Sequence, residues 1–285
     1  MYNPDKEFKK ATKCLKTGLF KWKADHASAA IHFENAAKAY EQQGNLEGAL
    51  RAYQELSKVN EQLSDVWASA RNYESITLIY LRTDRPKEAV GSAEKAVEQF
   101  RVNGSGDKAL RFLTNLGSEL ANKQLVELAS VVYAQALKLI PEEELYMQAR
   151  DLVSPYAGLL LENSLYSDAM VVYEKELGFA QALQREHHVN KAAMCIVAVS
   201  LLSVPSQAQR KCEELCASLP SFITSTEYQV ISDLLDAYSN ASQEDFEKAA
   251  RRGVWNNLEP QLTRLVRNLK LPSQAQQVEQ ELDFT

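Results

Sequence analysis

Small and large apolar residues recur along this chain at a fixed interval of twenty residues. Most copies begin with alanine and continue with an apolar residue four positions later and another three positions after that. The nine triplets are Ala29/Phe33/Ala36, Ala49/Tyr53/Leu56, Ser69/Tyr73/Ile76, Ala89/Ala93/Ala96, Ala109/Leu113/Leu116, Ala129/Tyr133/Ala136, Ala149/Val153/Tyr156, Ala169/Tyr173/Glu176 and Val189/Ala193/Ile196. Spacings of four and three place the three residues on one face of an α-helix. Each copy therefore predicts one helix and the turn that follows it.

Turn-forming residues lie between the copies, and strand patterns are nearly absent. The turn signals are Gly44-Asn45, Ser64-Asp65, Asp84-Arg85-Pro86, Asn103 to Asp107, Pro141 and Asn163-Ser164. Two copies form one antiparallel helix hairpin, longer than the tetratricopeptide unit of about 34 residues but with a similar second-helix pattern. We predict an all-α fold, a right-handed tetratricopeptide-like superhelix of antiparallel helix hairpins.

The regular spacing ends after the ninth copy. Pro205, Pro220 and Pro260 divide the rest of the chain into shorter helical segments. These segments are predicted around Gln207 to Leu219, Thr226 to Tyr238, Glu244 to Gly253 and Leu258 to Leu269. We therefore predict two domains, a helical-hairpin solenoid over 1–204 and a C-terminal helical bundle over 205–285.

Composition and charge exclude several classes of protein. The 285 residues carry a net charge of −6, which argues against nonspecific nucleic-acid binding because that binding requires basic residues. Four scattered cysteines do not suggest a disulfide framework. The N-terminus has no signal-peptide core, and the longest apolar run, Met194 to Val204, is too short to span a bilayer. We expect a protein of a reducing compartment that does not cross a membrane.

Motifs for catalysis or for cofactor and metal binding are weak. Gly104-Ser105-Gly106 lies between two predicted helices and has no strand before it, so it does not fit a dinucleotide-binding turn. His187 and His188 are adjacent and would point about 100° apart on a helix. Cys212 and Cys216 share a helix face, which fits either a metal site or buried thiols packed beside leucines. We predict no enzyme activity, no cofactor and no metal.

A lysine-rich segment near the N-terminus, Lys16 to Lys23, carries three large apolar residues beside the predicted break at Gly18. Apolar side chains flanked by lysines suit the headgroup region of an anionic bilayer. The alternative is that Phe20 and Trp22 pack onto the first hairpin and the lysines face solvent. The candidate membrane-contacting residues are Leu19, Phe20, Lys21, Trp22 and Lys23.

The repeat also brings basic residues to equivalent positions. In the first helix of each of four hairpins, the residue two positions after the start of the triplet is charged. These residues are Arg71, Arg111, Asp151 and Lys191, and Arg150 lies next to the acidic Asp151. First helices of such hairpins line the inner surface of a solenoid, where extended partners bind. These residues form either a basic row for an acidic partner or a scatter of unrelated surface charges.

Acidic residues cluster in the predicted C-terminal bundle. They are Asp233, Asp236, Glu244, Asp245 and Glu247. Such a cluster would complement a basic surface on a partner protein. The alternative is that the bundle only caps the solenoid.

The segment from Lys13 to Tyr40, which contains KTGLFKWK, resembles the N-terminus of the soluble NSF attachment protein family, most closely its gamma type. The resemblance extends through the repeats and weakens in the C-terminal bundle. It implies an adaptor in vesicle fusion that holds the assembled four-helix SNARE bundle on its concave surface and recruits the hexameric ATPase NSF through its C-terminal domain. It also implies a cytoplasmic, monomeric protein that associates peripherally with membranes.

The same resemblance implies roles for the candidate residues. Leu19, Phe20 and Trp22 match the family's membrane loop, the basic row becomes a candidate SNARE-binding surface, and the acidic cluster together with Leu282 becomes a candidate NSF-binding surface. The gamma type has a longer acidic tail than the Leu282 to Thr285 end of this chain, so NSF coupling is expected to differ. The alternative function is a general tetratricopeptide-like scaffold, such as a chaperone adaptor for acidic peptide tails.

Overall fold

The computed structural model describes residues 3–17 and 22–271. Within these ranges the regular secondary structure is helical and contains no strand. The first helix, α1 (Pro4–Leu15), begins after Asn3, whose side chain accepts a hydrogen bond from the Lys6 amide at 3.1 Å. This cap satisfies one of the backbone donors that an isolated helix start leaves unpaired.

The predicted twenty-residue repeat is confirmed by the positions of the helices. From residue 26 to residue 203, successive helical segments start twenty residues apart, and three residues connect each one to the next. Such short connections make consecutive helices antiparallel neighbours. The segments are α2 (His26–Gln42), α3 (Leu46–Gln62), α4 (Val66–Arg82), α5 (Pro86–Val102), α6 (Gly106–Asn122), α7 (Val126–Glu142), a 3₁₀ turn (Tyr146–Gln148) leading into α8 (Ala149–Glu162), α9 (Tyr166–Ala182) and α10 (Glu186–Ser203).

One turn conformation is repeated between these helices. The second connecting residue has a positive φ each time, which ends the preceding helix in the left-handed conformation. These residues are Gly44, Ser64, Asp84, Gly104, Gln124, Glu144, Ser164 and Gln184. The side chain of the next residue caps the following helix at Asn45 and Asp65, and the Asn45 side chain accepts from the Gly48 amide at 2.9 Å.

The expectation of a turn at Pro141 was wrong by a few residues. Pro141 lies inside the last turn of α7, and the chain reverses at Glu144, where φ is 56°. The turn follows the twenty-residue spacing of left-handed residues. Proline therefore marks the approach of the helix end here but does not set its position.

The residues of the repeated triplets form the core, as their spacing predicts. Ala29, Phe33 and Ala36 are buried to 1% exposure or less. Tyrosines of successive helices also pair with the helix before them, because the hydroxyls of Tyr53 and Tyr73 each donate at 2.9 Å to a glutamate twelve residues earlier. Burial, reinforced by the Glu61 carboxylate, raises the pKa of Tyr73 to about 12. These contacts fix α3 against α2 and α4 against α3 in the same register.

After α10 the helices become shorter, as the three prolines predict. They are α11 (Pro205–Ser218), α12 (Pro220–Ile223), α13 (Thr226–Ser239), α14 (Gln243–Ala250), a 3₁₀ segment (Gly253–Asn257) and α15 (Pro260–Asn268). Trp255 is fully buried, and its indole N–H donates to the Ala249 carbonyl at 3.0 Å. The Thr263 hydroxyl donates to the Trp255 carbonyl at 2.8 Å. Trp255 thus joins α14 to α15.

The chain divides into two compact units, unit 1 (Met1–Leu139) and unit 2 (Ile140–Thr285). Unit 2 therefore combines the last repeats with the shorter C-terminal helices. The domain boundary predicted at residue 204 marks where the repeat spacing ends and stays a prediction. Within unit 2, α10 is the central helix and contacts α9, α11, α12, α13 and α15.

Candidate partner-binding surfaces

The N-terminal lysine-rich segment begins and ends at one point of unit 1. The Asp25 amide donates to the Cys14 carbonyl at 3.0 Å, so the chain leaves α1 and returns to α2 at the same place. The helix α1 is itself attached to α2, because the Phe8 and Phe33 rings lie 5.1 Å apart and His32 Nδ1 is 2.7 Å from Glu7 Oε2. The segment thus has a firm base on the first hairpin.

Two of the five candidate membrane-contacting residues lie among the described residues. Trp22 is 89% exposed, and Lys23 is exposed as well. Leu19, Phe20 and Lys21 lie outside the described residues. The alternative in which Trp22 packs onto the first hairpin does not match its exposure. An indole held in solvent beside a lysine retains the chemistry expected of a membrane contact.

In unit 1 the two members of the predicted basic row are both exposed. The Arg71 guanidinium pairs with Glu74 at 2.8 Å, whereas Arg111 makes no ion pair with any residue that the structure describes. A surface pair of this kind contributes little to stability. Arg111 therefore offers a cation whose full charge is available to a partner.

In unit 2 the two basic candidates, Arg150 and Lys191, differ in exposure. Arg150 is exposed, as is the neighbouring Asp151. Lys191 is only 7% exposed, so its assignment to an exposed basic row was wrong. The physical reason is the position of its helix, because α10 is buried all round from Val189 to Leu201. The repeat position that is exposed in Arg71 and Arg111 is therefore buried on α10, where Lys191 occupies it.

Lys191 belongs to a charged cluster inside unit 2. Glu259, 6% exposed, accepts a hydrogen bond from the Tyr173 hydroxyl at 2.9 Å. Burial, and then the Glu259 charge, raise the pKa of Glu176 to about 7, while Lys191 and Arg150 oppose that rise. Burial and the two carboxylates also raise the pKa of the Cys195 thiol. Lys191 is thus an internal counter-charge, which stabilises buried acids.

Sequence reasoning missed this cluster, although one signal of it was present. Glu176 occupies the third position of its triplet, where the other copies have apolar residues or alanine. A carboxylate at a core position needs a charged or hydrogen-bonding environment. That exception in the pattern predicts a polar interior around α9.

The acidic candidates lie on α13 and α14, which pack against each other. Most of them are neutralised by neighbouring cations, since Glu244 pairs with Lys248 at 2.9 Å, Glu247 pairs with Arg251 at 3.0 Å, and Asp233 pairs with Arg252. A hydrogen bond from Ser242, together with Lys248, lowers the pKa of Asp245.

Asp236 differs from these four residues. It is exposed and has no ion-pair partner among the described residues. Leu282, the remaining candidate, lies outside the described residues. Asp236 is therefore the acid of this cluster most available to a partner.

The described part of the chain contains neither a metal-ligating cluster nor a membrane-spanning helix. His, Cys, Asp and Glu side chains form no group of three or more that could hold a metal ion there. Cys212 is buried, and burial followed by the proximity of Cys216 raises the pKa of its thiol to about 12. In the same ranges, the helices lack the length and apolar character needed to cross a bilayer.

Comparison with solved structures gives helical proteins with low similarity. BtubC (BKLC) from P. vanneervenii matches with a TM-score of 0.38 and 17% identity, covering 78% of this chain and 88% of that one. Aspartyl phosphate phosphatase F from Bacillus subtilis matches with a TM-score of 0.39 and 13% identity, covering 94% of this chain and 68% of that one.

Sequence comparison is more informative. The chain is 23% identical over 263 residues to a gamma-soluble NSF attachment protein of Dictyostelium discoideum, covering 92% of this chain and 81% of the relative. It is 25% identical to a protein of the same name from Arabidopsis thaliana, covering 94% and 91%. A probable vesicular-fusion protein sec17 homolog of Neurospora crassa is 28% identical over 241 residues, covering 81% and 80%. The similarity to gamma-type proteins is thus confirmed.

The family model described as "Soluble NSF attachment protein, SNAP" matches residues 2–252. This match includes the N-terminal segment, all nine repeats, α13 and α14, so it extends well beyond the region in which the resemblance was first seen. Because it covers most of the chain, the protein belongs to the soluble NSF attachment protein family.

Proposed function

We propose that this protein is an adaptor in vesicle fusion that holds assembled SNARE bundles and recruits NSF to take them apart. The observation that carries the proposal is the family match over residues 2–252, supported by relatives named for NSF attachment and vesicular fusion. The family is one of adaptors and not of enzymes, so no residue is given a catalytic role. The protein would act as a cytoplasmic monomer that associates with membranes peripherally.

SNARE contacts are proposed at the exposed arginines Arg71 and Arg111 of unit 1 and, taken by itself, at Arg150 of unit 2. Each can approach an acidic helix without the burial that excludes Lys191. Arg111 should contribute most, because Arg71 must first give up its pair with Glu74. Charge complementarity of this kind speeds association and favours acidic partners over basic ones.

The membrane contact is proposed to be the lysine-rich segment. Trp22 is exposed and Lys23 adjoins it, and the hydrogen bond between Asp25 and Cys14 holds the base of the segment. An aromatic ring inserts at the headgroup level while each lysine adds about 1 kcal/mol of attraction to an anionic surface. Recruitment to liposomes should therefore need both anionic lipid and Trp22.

The NSF-binding surface is proposed to lie on α13 and α14. Asp236 is the exposed acid without an ion pair in the described structure, and Glu244, Asp245 and Glu247 are held by cations that a basic partner could replace. Asp233 is assigned a weaker role because it also ties α13 to Arg252.

The experiment that tests this proposal compares binding to the preassembled SNARE bundle with binding to separate SNARE strands. An adaptor of this family should retain the bundle and release the strands, and Arg111→Glu should reduce retention. Arg210→Glu on α11 is the matched control, because Arg210 is exposed and already pairs with Glu214 at 3.0 Å.

Equal retention of bundle and strands would favour the alternative of a general scaffold for acidic peptide tails. NSF coupling is tested on the same preparation. Asp236→Lys should reduce stimulation of NSF ATPase activity while bundle retention survives. Loss of both together would make α13 and α14 a structural cap.

A further inference from the structure

A small pocket opens in unit 2 where three helices end or begin. It lies between the 3₁₀ turn that leads into α8, the last turns of α9 and the start of α10. Its volume is about 100 Å³. The lining residues are Tyr146, Met147, Ala149, Arg150, Glu176, Phe179, Ala180, Leu183, Arg185 and His188.

The local backbone departs from the repeat at this place. The other described repeats begin directly with an α-helix, whereas this one begins with the 3₁₀ turn Tyr146–Gln148. The Tyr146 and Phe179 rings lie 5.9 Å apart, and Met147 stays 59% exposed. Short 3₁₀ turns are common where α-helices begin. Here the Met147 thioether is exposed in a pocket that Tyr146 and Phe179 also line.

The size of the pocket limits what can enter it. Sites for cofactors and drug-sized ligands have volumes of roughly 300–1,000 Å³. An apolar cavity that binds one benzene molecule measures about 150 Å³. The present pocket, at about 100 Å³, accommodates a single aliphatic side chain. Its occupant is therefore one residue of a larger partner.

Cations surround the opening. Arg150 and Arg185 are exposed, and neither makes an ion pair with a carboxylate in the part of the chain that is described. Arg185 donates only to the Met147 sulfur, at 3.3 Å. By contrast, Arg210 and Arg251 of the same unit each pair with a glutamate four residues away. The pocket thus carries positive charge that the chain itself does not neutralise.

The ionisation of His188 reflects this surplus. Burial, and then the charges of Arg150, His187, Arg185 and Lys191, lower its pKa. The acid that lines the pocket, Glu176, has its pKa raised to about 7 and offsets only part of the surrounding charge. An anionic partner at the rim would find several cations and one partly protonated acid.

From this geometry we propose that the pocket docks an acidic linear segment of a partner protein, with one aliphatic side chain inserted and carboxylates on both sides of it. The inserted side chain packs against Phe179 and Leu183, and the flanking carboxylates pair with Arg150 and Arg185. The pocket shares Arg150 with the proposed SNARE contact, but Met147, Phe179, Leu183 and Arg185 are used only by the inserted segment. The family comparisons assign no role to this pocket.

The test uses short fluorescent peptides and the full chain. One peptide carries a single leucine between aspartates and glutamates, and its partner carries serine in place of leucine. Burying a leucine contributes roughly 1.5–3 kcal/mol. Fluorescence anisotropy should therefore show the leucine peptide binding at least about tenfold more tightly. Equal binding of the two peptides would overturn the proposal, since charge alone would explain it.

Two surface variants locate the site. Met147→Asp and Arg185→Gln should each weaken binding of the leucine peptide about five- to tenfold, because both side chains are exposed at the rim. Arg210→Gln removes an equal charge from α11 and should leave peptide binding unchanged. Both rim variants should also retain SNARE bundles normally. Equal weakening by Arg210→Gln, or loss of bundle binding in the rim variants, would overturn the assignment of the peptide to this pocket.

Discussion

Arg111 of unit 1 and Lys191 of unit 2 occupy the same position in the repeat, yet one is exposed and the other is buried. Their helices begin at equivalent residues and carry equivalent small-residue triplets. The difference comes from what surrounds each helix, since α10 is enclosed by α9 and by the shorter C-terminal helices. The position in the repeat thus determines on which face of its helix a residue lies. The neighbouring helices determine whether that face is exposed, and so whether a cation on it can bind a partner.

The largest expected effect tests the buried member of this pair. Lys191→Met should destabilise unit 2 by about 3 kcal/mol at pH 8, because it removes one of the two cations that offset the buried charge of Glu176. Arg111→Met should change stability by less than about 0.5 kcal/mol, as is usual for surface positions. Urea unfolding of the two variants measures both values. Equal stability of the two would show that Lys191 does not support the acids.

The next effect concerns the acid that Lys191 faces. The folded-state pKa of Glu176, about 7, lies above its ordinary value of 4.5, so the cost of ionising it grows as pH rises from 4.5 to 7 and is complete above that. Glu176→Gln should therefore stabilise the protein by about 2–3 kcal/mol at pH 8 and have little effect near pH 4.5.

Thermal or urea unfolding at both pH values checks this expectation. The double variant Lys191→Met/Glu176→Gln should recover much of the stability lost in Lys191→Met, because the two side chains interact. A Glu176→Gln effect that is the same at both pH values would contradict the assignment.

A smaller effect is expected when Arg111, the exposed residue of the pair, is tested for SNARE binding. Arg111→Glu should weaken retention of an assembled SNARE bundle by about 1 kcal/mol, or roughly fivefold, at low salt. The difference from the unaltered protein should shrink as salt rises, because screening removes the charge contribution. Measuring SNARE-bundle binding of both proteins at two salt concentrations tests this expectation. An unchanged affinity at low salt would remove Arg111 from the proposed surface.

The smallest expected effect compares the helix propensity of equivalent glycines in the two units. Gly91 in α5 and Gly178 in α9 both lie inside helices, and an added Cβ would meet no atom within 4 Å at either position. Alanine should therefore stabilise each unit by about 0.5–1 kcal/mol through helix propensity alone. Matching gains would show that the repeat is locally equivalent in both units, and a loss at either glycine would reveal a contact specific to that unit.

The order and register of the helices could be predicted because both follow from local spacing. The alanine triplets specify which face is buried, and the residues at positive φ recur with the same interval. Burial of a whole helix depends on distant parts of the chain. The apolar run from Met194 to Val204 did contain that information, since a helix apolar on all sides belongs in a core. Combined with the repeat, it would have placed Lys191 inside.

The partner-binding surfaces could be predicted only in part. Trp22 was identifiable as a candidate for exposure because lysines precede and follow it in the sequence. Arg111 was identifiable only from its repeat position, since its sequence neighbours Leu110 and Phe112 are apolar. The pairing of Asp233 with Arg252 and the pocket around Phe179 bring together residues far apart along the chain. No periodicity encodes such contacts, because they depend on how helices of unequal length meet.

The hydrogen bond between the Asp25 amide and the Cys14 carbonyl has a consequence for how the N-terminal segment can change during evolution. The stretch between these residues is tied off at its base, so helix packing on either side does not depend on its length. Doubling the length of such a loop costs only about 0.6 kcal/mol of closure entropy. Related proteins can therefore extend or shorten this stretch while keeping the same hairpin at its base.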